Sequence, residues 1–427
     1  MSGFSDMGSQ EAGWSRTKSI PTTASSKITP VRKLLLLTLL ILSLPLTAQT
    51  TTPAPLPPLS QAGPLGADLF TRSGSTGMVL VIVRGKEVFF QGYGETAPGS
   101  GKLPDEKSIL RLCSLSKIFA TDLLIKLVHD GTLHLDDPLQ RFAPSGMRVP
   151  TWPGHPITLE NLATHTAALP REVGRAPRSE NTAHFTFPSY DYRWHWLPTQ
   201  RLRYEPGTQA LYSNVGFDFL GDAIQRAAGK PYATLLAERT TVPLGMTETG
   251  FTPNPRQCSR LLQGAHNEGP CTDTQNSVAS AGVYSTAADM TLWLEYLLGT
   301  GAISQDPAAQ AVYLDPGDLT HQSGLDHPGA PSGIGLGWMH MFDNTPSALI
   351  EKTGGGAGFV TYIVISHPFN TAVFVAFTDA AVSTHYNVFK ATNNLLFQLS
   401  GLPTIPIPPP PAPTKPRAKR TRKRTTR

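Results

Sequence analysis

The sequence FVTYIVISHPFNTAVFVAFT, residues 359–378, contains two strongly apolar runs separated by a turn-forming tripeptide. The runs 359–365 and 371–378 are rich in β-branched and aromatic residues, which favour strands. The tripeptide Pro368-Phe369-Asn370 supplies residues that are typical of turns. This stretch therefore predicts two consecutive strands near the end of the chain.

A similar pattern stands near the start of the folded region. The apolar run 77–83 is followed by Arg84-Gly85-Lys86 and then by a second strand-like run at 87–93, which together predict a β-hairpin. Helical spacing or helix-stopping residues mark five segments between and after these hairpins. They are 115–131, 159–162, 217–228, 287–298 and 387–399. We predict an α/β (α+β) fold in which both ends form one antiparallel sheet, flanked by helices and with an inserted helical region.

The positive charge of the chain is concentrated at its ends. The 427 residues have a net charge of +5 and 40% apolar content, but residues 415–427 alone contain eight Lys or Arg and no acid. Residues 49–414 carry a net charge of −6. The body is long enough for a large core, and it has no basic stripe of the kind that binds nucleic acid.

The N-terminal segment resembles an export signal. Arg32 and Lys33 precede the apolar run 34–42, and Ala48 ends a short stretch of small and apolar residues, which is the secretory pattern. An uncleaved anchor is the alternative, and the true start codon stays open. We divide the chain into a signal peptide (1–48), a Thr- and Pro-rich linker (49–63), a catalytic domain (64–401) and a Pro-rich basic, disordered tail (402–427).

These ends bear on where the protein acts. Export predicts the periplasm, and the basic tail is either a solvated extension or a weak attachment to anionic envelope polymers or to the inner-membrane surface. An oxidising compartment would also allow Cys258 and Cys271, which lie close together in a loop-like stretch, to form a disulfide. Two unpaired thiols are the alternative. Cys113 is expected to be a small buried packing residue.

Ser114-Leu115-Ser116-Lys117 is the first of three strings that carry candidate chemistry. Ser114 and Lys117 are spaced i, i+3 at the start of a predicted helix, so they share one face. The helix N-terminus favours nearby negative charge, such as the oxyanion of an attacked carbonyl. A desolvated lysine beside a serine can accept its proton. The string alone is weak evidence, since such a match occurs readily by chance.

Two further strings follow in the order that acyl-serine enzymes require. Tyr212-Ser213-Asn214 is predicted to lie in a loop at a helix start, where Tyr212 could act as a base and Asn214 could bind substrate. A buried structural tyrosine is the alternative. Lys352-Thr353-Gly354-Gly355 offers a cation and a hydroxyl for a substrate carboxylate, in a Gly-rich stretch that lets substrate approach the backbone. A simple Gly-rich turn is the alternative there. We find no metal-ligand spacing among the histidines.

The joint order of the strings resembles the serine β-lactamase and penicillin-binding peptidase superfamily, and in particular its class C-like branch. Within the branch the chain is most similar to the AmpH-type D-alanyl-D-alanine carboxypeptidase/endopeptidases. Cys113 is one departure, where a small residue without a thiol is expected. The segments that carry the further likeness are 162–172, 212–218, 243–246, 258–271, 281–290 and 352–359.

The resemblance implies a role for each candidate residue. Ser114 would attack a D-Ala-D-Ala bond or a cross-link, Lys117 and Tyr212 would share proton transfer, and water would hydrolyse the acyl-enzyme. Backbone N–H groups of Ser114 and Gly355 would form the oxyanion hole. Substrate binding would fall to Asn214, Lys352, Thr353, Gly354 and Gly355. The implied partners are peptidoglycan peptides and covalently bound β-lactams, with no cofactor and no metal.

Other functions fit the same strings. A class C-like β-lactamase shares the acylation machinery and differs in how fast water clears the acyl-enzyme. An esterase would have no carboxylate for Lys352 to bind. A non-catalytic sensor of β-lactams or peptidoglycan would have no chemical need for Ser114, Lys117, Tyr212 and Lys352 together.

Overall fold

The computed structural model describes residues 55–174, 187–265, 269–325, 329–378 and 387–407. The predicted signal peptide, the first six residues of the predicted linker and the tail from residue 408 lie outside the described residues. No helix in these ranges is both long and apolar enough to cross a membrane. The domain boundaries remain predictions, although the first helix begins at Ala62, inside the segment that we interpreted as a linker.

Twelve strands and ten α-helices are present in the described parts of the chain. The strands are β1 (Gly77–Arg84), β2 (Glu87–Gly94), β3 (Ile109–Arg111), β4 (Gln209–Leu211), β5 (Tyr284–Thr286), β6 (Val312–Leu314), β7 (His321–Ser323), β8 (Gly333–Gly335), β9 (Met339–Met341), β10 (Leu349–Gly356), β11 (Phe359–Ser366) and β12 (Thr371–Thr378). The helices are α1 (Ala62–Ser73), α2 (Ser116–His129), α3 (Leu159–Ala163), α4 (Tyr190–Trp196), α5 (Asn214–Ala228), α6 (Tyr232–Leu236), α7 (Val242–Leu244), α8 (Pro255–Cys258), α9 (Ala287–Leu298) and α10 (Val388–Leu399).

One eight-stranded sheet joins the two ends of the chain, which confirms the predicted fold class. Its strand order is β2-β1-β12-β11-β10-β9-β8-β6, and every neighbouring pair is antiparallel. The N-terminal hairpin meets the C-terminal strands where β1 pairs with β12, for example Val81 opposite Phe374. The helical region between residues 113 and 298 is inserted between these strands, as the sequence predicted.

The sheet is buried on both faces. Side chains alternate across it, so Val79 and Val81 of β1 contribute to a large core shared with α2, α5 and α9. Met78 and Leu80 of the same strand contribute to a smaller core under α1 and α10. The central strands β1, β11 and β12 therefore read as nearly continuous apolar runs, which made them recognisable from the sequence.

Helix α2 lies at the centre of the larger core. Ile118, Phe119, Leu123 and Leu124 have no exposed surface, and Phe119 stacks on Trp293 of α9 with ring centroids 4.1 Å apart. Burying aliphatic and aromatic side chains of this size stabilises the fold by about 1.5–3 kcal/mol each. This packing fixes the start of α2, where the first candidate string stands.

Candidate active site

Ser114 lies where the chain turns from a strand into the central helix. Strand β3 leads into a single 3-10 turn over Cys113–Leu115, and α2 begins at Ser116. Cys113 adopts a left-handed backbone conformation with φ of 52°. This conformation is energetically costly for a residue with a side chain, and it changes the direction of the chain between β3 and α2. Ser114 is thereby presented at the helix start, as predicted, and is 6% exposed.

Lys117 is completely buried beside the serine. Its Nζ lies 3.2 Å from Ser114 Oγ, 2.7 Å from Asn214 Oδ1 and 2.7 Å from the carbonyl oxygen of Ser280. The structure thus joins residues of the first and second strings by direct hydrogen bonds. A lysine that contacts a serine hydroxyl in a desolvated position is arranged for proton transfer.

Tyr212 lies among positively charged groups. Nζ of Lys117 is 4.8 Å and Nζ of Lys352 is 5.0 Å from the centroid of its ring, and the guanidinium carbon of Arg171 is 4.4 Å from it. The His165 ring stacks on the tyrosine at 4.4 Å. Tyr212 itself is 3% exposed. The three strings therefore meet around one tyrosine.

The segment 165–172 encloses the second string. The Ser213 amide donates to His165 Nδ1 at 3.1 Å, and Ser213 Oγ donates to the carbonyl of Pro170 at 2.7 Å. The Asn214 amide, the first of helix α5, donates to the carbonyl of Arg171 at 2.9 Å. These bonds satisfy backbone and cap groups that a buried helix start would otherwise leave unpaired. The orientation of Tyr212 and Asn214 is therefore set by this segment.

The third string forms part of a strand and not the simple Gly-rich turn that was its alternative interpretation. Lys352 to Gly356 belong to strand β10 and pair with β11, so that Lys352 stands opposite Ile363 and Gly356 opposite Phe359. Glycines have low strand propensity, but here a long-range partner strand supplies the hydrogen-bond ladder. Strand β9 pairs with β10 only as far as Glu351. From Lys352 onward this edge of β10 faces the Ser114 turn instead.

Two glycines of β10 allow this close approach. A Cβ on Gly354 would lie 2.6 Å from the Leu112 carbonyl oxygen and 2.2 Å from Thr361 Oγ1, which are impossible contacts. A Cβ on Gly355 would meet nothing within 4 Å. Gly354 thus lets the strand pack against the turn that bears Ser114, and Gly355 borders open space beside it.

These elements enclose a cleft of about 260 Å³. It contains three of the predicted site residues, namely Ser114, Asn214 and Gly355. Lys117, Lys352 and Thr353 are buried, at no more than 2% exposure, and are not among its lining residues. The other lining residues are Arg171, Glu172, Val173, Phe187, Pro188, Val215, Asp218, Ser280 and Ala281.

Burial shifts the pKa of several groups near the cleft. It lowers the pKa of His165 well below its usual range, and the positive charges of Lys117, Lys352 and Arg171 act in the same direction. His165 is therefore a neutral hydrogen-bond acceptor. Burial also raises the pKa of the Cys113 thiol to about 12. The thiol is therefore protonated and unreactive, in agreement with a packing role.

Asp218 lies in the cleft, one helical turn after Asn214 on α5. Burial raises the pKa of its carboxyl to about 6, against the opposing charge of Arg193 and a hydrogen bond from Ser280. Its Oδ1 accepts a hydrogen bond from Ser277 Oγ at 3.2 Å. The carboxyl thus shares a polar network with the loop whose Ser280 carbonyl holds Lys117.

The predicted disulfide is present, with the Cα atoms of Cys258 and Cys271 5.6 Å apart. Arg111, which is 2% exposed, donates to the carbonyls of Gly269 and Pro270 at 3.1 and 2.8 Å. The cross-linked loop is thereby fastened to the strand that leads into the Ser114 turn. This pairing was favoured by the inferred compartment and could not be derived from spacing alone.

Sequence reasoning assigned no role to Glu172, Asp218 or Ser280. Asp218 and Ser280 lie in or next to segments that the superfamily likeness covered, and Glu172 ends another, but no single-residue signal distinguished them. Ser280 acts through its backbone carbonyl, which any residue type carries. Such contributions are visible only in three dimensions.

Comparisons with known proteins identify the family of this chain. Residues 67–392 match the family model described as Beta-lactamase. The D-alanyl-D-alanine-carboxypeptidase/endopeptidase AmpH of Escherichia coli K12 is 42% identical over 340 residues, which are 78% of this chain and 87% of that protein. The resemblance to AmpH-type proteins drawn from the sequence is thereby confirmed.

Solved structures show the same fold. The β-lactamase/D-alanine carboxypeptidase from Yersinia pestis, crystallised with citrate, superposes with a TM-score of 0.75 at 36% identity, over 80% of this chain and 99% of that one. A class C β-lactamase from Rhodobacter sphaeroides superposes with a TM-score of 0.58 at 22% identity, over 79% of this chain and 97% of that one. The chain belongs to the β-lactamase family of serine hydrolases.

Proposed function

We propose that the protein is a serine D-alanyl-D-alanine carboxypeptidase/endopeptidase that acts on peptidoglycan peptides through an acyl-Ser114 intermediate and binds penicillin at the same serine. The observation that carries the proposal is the direct hydrogen bond between buried Lys117 Nζ and Ser114 Oγ at 3.2 Å, in a chain 42% identical to AmpH. Fold alone would not suffice, because function depends on the site.

Acylation would proceed by attack of Ser114 Oγ on the carbonyl carbon of the scissile peptide bond. The serine proton passes to Lys117 or Tyr212, which act as a coupled pair, and then to the leaving amine as the C–N bond breaks. Three cations around Tyr212 would stabilise negative charge on its oxygen. Water then attacks the ester and frees Ser114.

The remaining predicted residues would bind and polarise the substrate. Backbone N–H groups of Ser114 and Gly355 would stabilise the oxyanion, since both residues border the cleft and preorganised donors there are worth several kcal/mol. Lys352 and Thr353 would hold the terminal carboxylate. Asn214 would orient both the substrate and Lys117. A free carboxylate next to the scissile bond is the feature that D-Ala-D-Ala peptides and penicillins share.

The second candidate is a class C-like β-lactamase, because the structurally similar Yersinia pestis protein is described as a β-lactamase/D-alanine carboxypeptidase. Both activities begin with the same acylation. Turnover of a chromogenic cephalosporin, compared with D-alanine release from purified muropeptides, would separate them. Identification of products from cross-linked and uncross-linked muropeptides would in turn separate endopeptidase from carboxypeptidase action.

We further infer that the enzyme works in the periplasm, where these peptides are found. The support is the signal-like segment 1–48, in which Arg32 and Lys33 precede an apolar run. The eight basic residues of 415–427 would add weak attraction to an anionic membrane surface. Cell fractionation of the full chain and of a chain ending at Ile407 would test both points. Recovery of the full chain in the cytoplasm would contradict the periplasmic location, and equal membrane association of the two chains would contradict the role of the tail.

The nucleophile assignment is tested by Ser114→Ala. We expect this variant to lose labelling by a fluorescent penicillin while keeping the thermal unfolding transition of the wild type. Ser116→Ala is a matched control, because within the described residues Ser116 Oγ donates to the Cys113 carbonyl and accepts from the Val283 amide, away from the cleft lining. That control should still be labelled, at somewhat lower stability. Persistent labelling of Ser114→Ala would overturn the assignment.

A further inference from the structure

Glu172 stands at the end of a hydrogen-bond chain that leads to the nucleophile. Its Oε1 accepts from Asn214 Nδ2 at 2.6 Å, and Asn214 Oδ1 accepts from Lys117 Nζ at 2.7 Å. Lys117 Nζ in turn lies 3.2 Å from Ser114 Oγ. Glu172 also lines the cleft. The mechanism given above assigns it no part.

The chemistry of the asparagine side chain makes this contact informative. An amide has one end that accepts hydrogen bonds and one that only donates. Lysine Nζ needs the accepting end, so Asn214 must direct Oδ1 toward Lys117 and Nδ2 away from it. A carboxylate can only accept, and Glu172 therefore selects this orientation and opposes the flipped one.

The position of Glu172 is set by the backbone and not only by its exposed side chain. The carbonyl of Arg171, the preceding residue, accepts from the Asn214 amide at 2.9 Å. The carbonyl of Pro170 accepts from Ser213 Oγ at 2.7 Å. Two bonds on consecutive residues thus fasten the chain before Glu172 to the start of α5. The carboxylate is held next to the amide that it contacts.

Charge gives Glu172 a second influence on the site. Lys117, Lys352 and Arg171 bring three positive charges to the region around Tyr212. Other titratable groups that act on Lys117 are the neutral His165, the protonated Cys113 thiol and the carboxyl of Asp218, whose pKa is raised by burial and lowered in part by the charge of Lys117. A nearby carboxylate stabilises the charged form of a lysine and so raises the pH at which it loses its proton. Replacing the carboxylate by a neutral group should lower that pH.

We propose that Glu172 is a positioning residue of this active site, which acts through Asn214 to hold Lys117 against Ser114 and to stabilise its positive charge. This inference rests on the proposed acyl-serine function. It extends that function from the residues of the three strings to a side chain that no motif identifies.

The test is the rate constant for acylation by a fluorescent penicillin, measured from about pH 5 to about pH 10. Glu172→Gln keeps the size of the side chain, removes its charge, and adds an N–H that could donate to a flipped Asn214. We expect a fall in the rate constant of about ten- to a hundredfold, the effect of losing one hydrogen bond to a charged group. In the plot of the acylation rate constant against pH, the limb that reflects loss of the proton from Lys117 should move to lower pH.

A second variant separates the effect of the negative charge from the effect of side-chain length. Glu172→Asp keeps the carboxylate but shortens the side chain by one methylene, so we expect a slower reaction with the limb close to its wild-type position. Glu238→Gln serves as the control, because Glu238 is an exposed carboxylate paired with Lys230 on the surface. It should leave both rate and profile unchanged. Thermal unfolding of each variant checks that it is folded.

The outcomes distinguish this inference from the proposed function. Wild-type rates and profile in Glu172→Gln would overturn the role of Glu172. A slower reaction with an unmoved profile would also overturn it, because a merely structural contact gives that result. If Ser114→Ala were still labelled, the proposed function itself would fail, whatever Glu172→Gln showed.

Discussion

At the scale of single residues, adjacent glycines on β10 face different surroundings. A Cβ on Gly354 would clash with backbone at the Leu112 carbonyl, whereas one on Gly355 would enter open space. We expect Gly354→Ala to lower the free energy of unfolding by about 1–3 kcal/mol, the usual cost of overpacking. It should also impair acylation, because β10 must move away from Ser114. Urea unfolding and penicillin labelling measure the two effects.

Gly355→Ala is the comparison variant for stability. We expect its unfolding free energy to stay within about 0.5 kcal/mol of the wild type, since the added methyl contacts nothing. Its acylation rate is a separate question, because the proposed oxyanion hole includes the Gly355 amide. Equal loss of stability in the two variants would show that the packing of β10 against the Ser114 turn is not the constraint on Gly354.

At the scale of elements, a buried ion pair connects α4 to α5. Arg193 Nε donates to Asp222 Oδ2 at 2.7 Å, and the indole of Trp194 donates to the same oxygen at 2.8 Å. Arg193 also donates to the carbonyls of Pro188 and Asn276 at 3.1 and 2.9 Å. Because Pro188 lines the cleft, this anchor sets one of its walls.

Removing one partner of this pair should cost more than removing both. Arg193→Met leaves the Asp222 carboxylate buried and uncompensated, and we expect a loss of about 3–5 kcal/mol in unfolding free energy. The double variant Arg193→Met/Asp222→Leu should recover the part that comes from the unpaired carboxylate. It should not recover the Trp194 bond or the two Arg193 bonds to the Pro188 and Asn276 carbonyls, each worth about 1 kcal/mol. A double-mutant cycle by urea denaturation measures the coupling. Additive losses would contradict the prediction.

Elements differed in how well the sequence predicted them. Strands β11 and β12 and helix α9 were predicted to within a residue, because their apolar residues face two cores or follow helical spacing. Helix α1 was missed, since it begins inside the segment interpreted as a Thr- and Pro-rich linker and contains Gly63, Pro64 and Gly66, which have low helix propensity. Gly66 is required there by tertiary packing, because a Cβ would lie 2.2 Å from Tyr93 Oη.

The same reasoning applies to the candidate site. The three strings identified Ser114, Lys117, Tyr212, Asn214 and Lys352, which the structure brings together. The sequence did not show that Lys352 to Gly356 form a strand, because the need for glycine at Gly354 comes from the packing of the distant Ser114 turn against β10. The Glu172 contact was equally hidden, since it depends on a segment folding back over Asn214. Local patterns carry residue types and spacing, but they do not carry contacts between distant segments.

At the scale of the whole molecule, the sheet separates the cleft from a second buried polar group. Lys352 and Glu351 are consecutive on β10, so their side chains point to opposite faces. Glu351 has no exposed surface and lies under α10, where Tyr362 Oη donates to its Oε2 and Asn393 Nδ2 lies 3.4 Å from that oxygen. A carboxyl group between the sheet and the last helix makes global stability depend on pH.

The sign of that dependence follows from the Glu351 pKa. Burial raises the pKa of the carboxyl from 4.5 to about 8, against opposing contributions from its two hydrogen bonds and from Lys352. Between these values the native protein holds a proton that the unfolded chain has released, so the free energy of unfolding falls as pH rises and levels off above about pH 8. The full decrease is on the order of 5 kcal/mol.

Glu351→Gln should remove this contribution, because glutamine is neutral at every pH and has nearly the same shape. We expect wild type and variant to be similarly stable near pH 5 and the variant to be more stable by several kcal/mol near pH 8. Urea denaturation at both pH values measures the difference. Glu238→Gln, which changes an exposed carboxylate, should follow the wild type at both. If the stability of Glu351→Gln also fell in parallel with the wild type, Glu351 would be ionised in the native protein and β10 would tolerate a buried charge behind its active-site face.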